Sequence, residues 1–191
     1  GSDKAFINNL DSLFVVEGDL GEGAPPDISG MIGQYAHGNE PAHHVPYMYA
    51  YAGAQYKTAS WVRKLQEKFY TDEPDGYCGN EDCGQMSAWH VMSALGFYQV
   101  NPSKGVFVFG SPSFSKAKVN LSNGKTFTVI AKGNSDKNVY IKSAKLNGKP
   151  YQNSYVTYED IMRGGTLEFV MSSTPNKNFG KAKQHRPVSA E

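Results

Sequence analysis

Two short stretches hold most of the side chains in this sequence that could do chemistry. The first, "GQYAHGNEPAHH" from Gly33 to His44, offers Gln34, His37, Asn39, Glu40, His43 and His44. The second, "GYCGNEDCGQMSAW" from Gly76 to Trp89, offers Cys78, Asn80, Glu81, Asp82, Cys83 and Gln85. Each stretch leads into a helical pattern. A carboxylate at such an entrance accepts backbone N–H groups and feels the positive end of the helix dipole, so it stays ionised at neutral pH. That suits a general base or a metal ligand better than a general acid, whose pKa must be raised.

Structural roles compete with each of these. Asp82 can equally cap the helix that follows, and Asn39-Glu40 before Pro41 can be a helix-entry turn. His43 and His44 read first as one packed and one exposed histidine, because neighbours on a helix point about 100° apart. Cys78 and Cys83 would need two further ligands to hold zinc, and only the histidines of the other stretch could supply them. A disulfide across so short a loop depends on its glycines and an oxidising compartment; unpaired thiols are the default. No cysteine–histidine spacing marks a thiol nucleophile, and "GSPS" around Ser111 lacks the form of a nucleophile elbow.

The elements that must position these loops change period part-way along. Phe6, Ile7, Leu10, Leu13 and Phe14 recur at helical spacing after Asp3, and a Gly/Pro-rich loop from Gly18 to Pro26 follows. A second helix is expected from Pro41 to Gly53, shortened or kinked by Pro46. Thr58 reads as the N-cap of a third helix carrying Trp61, Val62, Leu65 and Phe69 on one side. A fourth runs from about Gln85, with Met86, Trp89, Met92 and Leu95 inward, and stops at Gly96.

After Pro102 the period becomes two. "GVFVFG", "AKVNLSNGKTFTVIAKG", "NVYIKSAKLNGKPY" and "GTLEFVMSS" read as strands, with Asn123-Gly124 and Asn147-Gly148 as hairpin turns. Thr157 caps one short helix, with Ile161 and Met162 inward and Gly164-Gly165 ending it. The expected plan is α+β, with a helical part over residues 1–102, an antiparallel β-sandwich-like part over 103–180, and a loosely held polar tail, 181–191, whose polar character begins near Asn176.

Composition narrows the partners. The chain has 191 residues, 39% hydrophobic and 13% aromatic, enough to bury a sizeable core. Nineteen basic against eighteen acidic residues leave a net charge of +1 with no basic block, which argues against nucleic acid or an anionic membrane as partner. No apolar run approaches the roughly 18 residues that span a bilayer, and no signal pattern opens the chain. Gly1-Ser2 reads as a cloning scar, and the chain is expected to be part of something longer.

The segments "HGNEPAHHVPYMYAYAG", "KTASWVRKLQEKFY", "DGYCGNEDCGQMSAWHVMSALGFYQVNP" and "FVFGSPSFSKAKVNLSNGKTFTV" closely resemble the C-terminal portion of glycoside hydrolase family 92, the calcium-dependent exo-acting α-mannosidases. The similarity runs from about Asp27 to Gly180. It implies that residues 1–102 are the last hairpins of an (α/α)6 catalytic barrel, whose N-terminal β-sandwich partner is missing. It implies hydrolysis of terminal α-mannosides, with α-1,2 linkages the expectation, and with inversion, in which an acid protonates the leaving oxygen and a carboxylate activates water.

Asp82 matches the family's general base, where it is expected to accept amide hydrogens. Asn80 falls where some members carry a second, assisting carboxylate. Glu40, His43, His44 and Glu81 are implied in substrate binding. Gln34, Asn39 and Glu40 are implied as calcium ligands, a hard-cation role that suits their oxygens and not the cysteines. The family's general-acid Glu belongs upstream of these residues, so the chain is expected to be inactive alone, to need the remainder of the enzyme, and to self-associate through exposed helix faces. The family's substrates imply export to a periplasm or beyond. The competing class is a non-catalytic carbohydrate-binding or interaction module using Tyr140, Tyr151 and Tyr155 as stacking platforms.

Overall fold

The computed structural model describes residues 1–17 and 28–188. The expected Gly18–Pro26 loop lies outside the described residues. Helix α1 (Asp3–Val15) starts on Ser2, whose hydroxyl accepts from the Ala5 N–H at 3.2 Å, and buries Leu10 and Phe14. A two-rung hairpin of β1 (Met31–Ile32) and β2 (Tyr35–Ala36) follows. The segment from Pro41 to Gly53 is broken: 3-10 turns at Glu40–Ala42 and Val45–Tyr47, each with a proline in its first turn, precede the four-residue α2 (Met48–Tyr51). Proline lacks the N–H that would continue a helix, so two prolines five residues apart leave room for little more than single turns.

Helix α3 (Gln55–Phe69) begins before the Thr58 expected to cap it. Thr58 is buried inside the helix, and Ala54 stands at the cap. The start is set by Gln55, whose buried amide donates to the Phe109 and Gly110 carbonyls at 3.2 and 3.0 Å. Helix α4 (Gln85–Leu95) ends at Gly96, left-handed at φ 103°, as expected.

Two sheets complete the chain. Strands β3 (Phe97–Asn101), β4 (Val106–Phe109) and β9 (Tyr155–Thr157) form an antiparallel sheet in the order β3-β4-β9. Strands β5 (Lys116–Asn120), β6 (Thr126–Lys132), β7 (Tyr140–Leu146), β8 (Lys149–Tyr151) and β10 (Gly165–Ser172) form the larger one, in the order β5-β6-β10-β7-β8. Both Asn-Gly pairs turn hairpins, β5 to β6 and β7 to β8. Thr157 caps the short α5 (Tyr158–Met162), accepting from the Asp160 N–H. The sandwich-like reading holds, with one difference: β10 pairs parallel with β6, so the larger sheet is mixed.

Strand β4 divides two cores. Alternation sends Val108 into the helical core with Phe14, Tyr35, Val62 and Trp89, and Phe109 into the core between the sheets with Phe127, Leu167 and Phe169. The helices therefore stand on one face of the small sheet and the large sheet on the other. The tail is not loose where it is described. Phe179 is buried in the inter-sheet core, Ser154 donates twice to the His185 carbonyl, and Arg186 pairs with Asp3 at 2.9 Å.

Candidate active site

The two polar stretches meet. A methyl group on Gly79 would come within 2.8 Å of the Gly38 carbonyl oxygen and 2.9 Å of its Cα, and one on Gly30 would collide with the Cys78 sulfur. Only glycine backbones at these positions let "HGNE" and "CGNED" lie this close. Asn39 and Glu40 leave one side of that contact, and Asn80, Glu81 and Asp82 leave the other.

Asp82 sits in an unusual backbone. Asp82, Cys83 and Gly84 are all left-handed, with φ of 46°, 57° and 94°, a conformation that costs a non-glycine residue roughly 1–2 kcal/mol. Asp82 is exposed on this turn. The capping role falls instead to Glu81: its Oε1 accepts from the Ser87 N–H at 3.0 Å and its Oε2 from the Ser87 hydroxyl at 2.8 Å. Those bonds, the backbone one first, hold the Glu81 carboxyl below its ordinary pKa. Among the described residues, Asp82 is exposed and its carboxylate accepts no hydrogen bond, contrary to the expected amide contacts.

Beneath the loops runs a buried chain of hydrogen bonds whose proton positions follow from one another. The Tyr70 hydroxyl donates to the Met86 carbonyl at 3.2 Å, so it must accept from His37 Nε2–H at 2.9 Å. His37 Nδ1 is then an acceptor for the Tyr35 hydroxyl at 2.9 Å. His43 Nε2–H donates to the His37 carbonyl at 2.9 Å, which makes His43 Nδ1 an acceptor. The Gln85 amide fills it, one N–H going to His43 Nδ1 and the other to the Tyr98 hydroxyl, both at 3.1 Å. Trp89 Nε1–H closes the set on the His43 carbonyl at 3.0 Å. Burial is the first cause that keeps these imidazoles neutral: it lowers His37 to about 3 and pulls His43 down as well.

The expected residues are therefore divided between surface and support. Glu40 and His44 are half-buried and Asn39, Asn80 and Asp82 exposed at the paired loops. His43 is buried with both ring nitrogens engaged, and each Glu81 oxygen accepts one bond from Ser87, which leaves further lone pairs on that carboxylate. Of the expected calcium set, Asn39 and Glu40 are adjacent at the start of the 3-10 turn, and Gln34 is exposed. Gln34 lies at the tip of the β1–β2 hairpin, where its N–H bonds the Leu13 carbonyl at 2.8 Å. Among the described residues, no three His, Cys, Asp or Glu side chains gather as a metal site, which leaves no support for zinc.

Cys78 is half-buried and Cys83 exposed, both as free thiols, and burial raises the Cys78 pKa. Tyr140, Tyr151 and Tyr155 are half-buried on three different strands, with Tyr151 packed against the inter-sheet core. The sequence reading undervalued His37 and missed Tyr70 and Tyr98. A signal for Gln85 existed: it shares the helix face of Trp89 and Met92, and an amide on an apolar stripe needs a buried partner.

A half-buried acid on one small-residue loop and an exposed carboxylate on a strained turn of the loop that meets it have the makings of a hydrolase site. The chain belongs to glycosyl hydrolase family 92, whose catalytic-domain profile matches residues 1–173. It is 44% identical to a family GH92 α-mannosidase of Bacteroides thetaiotaomicron, superposing with a TM-score of 0.90 over 97% of this chain and 24% of that one. The same enzyme in complex with mannoimidazole superposes at 0.92. An inverting family GH92 mannosidase from the same organism is 38% identical, with a TM-score of 0.85 over 99% of this chain and 27% of that one. An uncharacterized secreted glycosidase of Arthroderma benhamiae is 32% identical over 155 residues, 80% of this chain and 20% of the relative. The chain thus spans about a quarter or less of the relatives it matches. Among the described residues, no helix is long and apolar enough to cross a membrane.

Proposed function

We propose that the protein containing this chain hydrolyses terminal α-mannosides with inversion, and that this chain supplies the base side of the reaction. The observation that carries the reading is the division of labour between Glu81 and Asp82. Glu81 satisfies the helix entrance, and Asp82, on a left-handed turn in the loop that meets the Glu40 loop, has a carboxylate that accepts no hydrogen bond among the described residues. An inverting hydrolase needs such a group on the far side of the sugar from its acid, about 6.5–9.5 Å away, with water between.

Asp82 takes a proton from that water as it attacks the anomeric carbon. Asn80, two residues earlier on the same exposed loop, helps orient the water through its amide. Glu40 and His44 contact the sugar, while His43 and Glu81 hold the loops in place. The oxygens of Asn39 and Glu40 are of the hard type calcium accepts, but a shell of about six to eight oxygens cannot come from two side chains. Hydroxyls of the glycan and the rest of the enzyme complete it, and the ion would supply charge for gripping vicinal hydroxyls and distorting the ring.

The general acid and the rest of the pocket come from the remainder of the enzyme, for which residues 1–102 are the last hairpins of an (α/α)6 barrel. Phe6 and Val91, 38% and 56% exposed, lie on faces available to meet it. Export fits a relative described as secreted. In the full-length enzyme, Asp82→Asn should lower kcat on α-1,2-mannobiose with calcium by about 10²–10⁴-fold with the fold intact. Wild-type turnover would refute the assignment. The isolated chain should show no turnover and should self-associate in light scattering; turnover near that of the full-length enzyme would overturn the division of the site.

A further inference from the structure

We propose that Gln85 is a positioning residue, the part that fixes the Asp82 turn relative to the Glu40 loop; the inference rests on the reading of Asp82 as the base. Three bonds meet at this residue. Its backbone N–H donates to the Asp82 carbonyl at 3.2 Å, and its side-chain amide donates to His43 Nδ1 and to the Tyr98 hydroxyl, both at 3.1 Å. His43 stands one turn after Glu40 and donates its own N–H to the Glu40 carbonyl at 3.0 Å. One side chain therefore joins the turn that carries the base to the turn that carries Glu40.

The orientation of that amide is determined by the chain around it. The His37 carbonyl can only accept, so His43 carries its proton on Nε2 and presents a bare Nδ1. A flipped amide would set its carbonyl against that lone pair, two acceptors face to face. Gln85 is thus locked with its NH2 group inward, although amide orientation is ordinarily ambiguous. A rigid partner matters here because Asp82, Cys83 and Gly84 sit in left-handed backbone, and among the described residues no side-chain bond from Asp82 steadies them. Gln85 is the first helical residue after that turn and is tied across to the other loop through His43.

The test uses the full-length enzyme with three variants, on α-1,2-mannobiose with calcium. Gln85→Met keeps length and shape and loses both N–H donors. A misplaced base should cost kcat about 10–100-fold while KM stays within about twofold. Gln85→Glu puts an acceptor against His43 Nδ1, so the pair needs an extra proton. Its rate should be low at neutral pH and recover relative to wild type as the pH is lowered, a profile that a purely structural role does not produce. Asp82→Asn is run in parallel.

Loss of rate in Asp82→Asn with wild-type kcat in Gln85→Met overturns the Gln85 inference alone. Full rate in Asp82→Asn overturns the base reading and the inference with it. If Gln85→Met fails to fold, the Gln85→Glu profile decides: recovery at lower pH supports the role, and a profile parallel to wild type refutes it.

Discussion

Acid should unfold this chain in a window where carboxylates are still ionised, and His37 sets the window. The unfolded chain takes up a proton at His37 as the pH falls through 6.5, whereas the folded chain takes it up only near 3, because burial and the neighbouring His43 and His90 disfavour the imidazolium. The proton therefore binds the unfolded state preferentially. Stability is fully present above pH 6.5 and is lost as the pH falls toward 3. At 1.36 kcal/mol per pH unit, His37 alone removes about 2 kcal/mol between pH 7 and pH 5. That is a large share of a typical folding free energy of about 5–15 kcal/mol.

His43 and His90, also lowered by burial, act in the same direction. The Glu81 carboxyl, held below its ordinary 4.5 by its bonds to Ser87, stays ionised between pH 7 and pH 5. Urea unfolding followed by tryptophan fluorescence at pH 7 and pH 5 measures the loss, since Trp89 packs edge-on against His37 at 4.4 Å. His37→Gln, whose amide can still both donate and accept between Tyr35 and Tyr70, should be less stable at pH 7 but lose about 2 kcal/mol less on acidification. Equal losses in the two proteins would refute the reasoning.

Gly79→Ala places a methyl group 2.8 Å from the Gly38 carbonyl at φ 76°, so beyond the backbone strain it must push the loops apart. Full-length enzyme with this change should show a raised KM for mannobiose and a higher calcium requirement. Gly124→Ala, at φ 78° with nothing within 4 Å, meets the strain alone and should leave KM unchanged; matching kinetics for the two would contradict the loop contact. Phe169→Ala, which empties a fully buried site packed edge-to-face on Phe109 at 5.0 Å, should cost about 3–5 kcal/mol in urea. A loss below about 1 kcal/mol would mean that the inter-sheet core closes over the cavity.

Local chemistry made several elements legible in advance. Gly96 could only end α4, Thr157 could only start α5, and two Asn-Gly pairs between alternating runs could hardly be anything but hairpin turns. The two polar loops, too, could be singled out as the richest in candidate side chains, together with the family they resemble. These signals lie within a few residues of what they specify, so periodicity and turn preference suffice to read them.

What the sequence could not show depends on partners far along the chain. The start of α3 is fixed by Gln55 reaching the Phe109 and Gly110 carbonyls, and Thr58, a good cap in isolation, is drawn into the helix. The parallel pairing of β6 with β10 joins residues nearly forty positions apart, where no turn residue records the register. Arg186 ties the described tail to Asp3 across the whole chain.

The same holds at the site. A carboxylate at a helix entrance caps the helix or stays open to other work depending on the backbone turn that carries it, and here Glu81 bonds the first turn while Asp82 accepts no hydrogen bond among the described residues. The sequence determined which residues have the right chemistry and which loops hold them. Tertiary structure alone decided that the loops meet through Gly38 and Gly79, and that His43 faces inward while Glu40 stays half-buried at the loop. Side-chain roles follow from which groups lose water and which find partners, and distant contacts settle both.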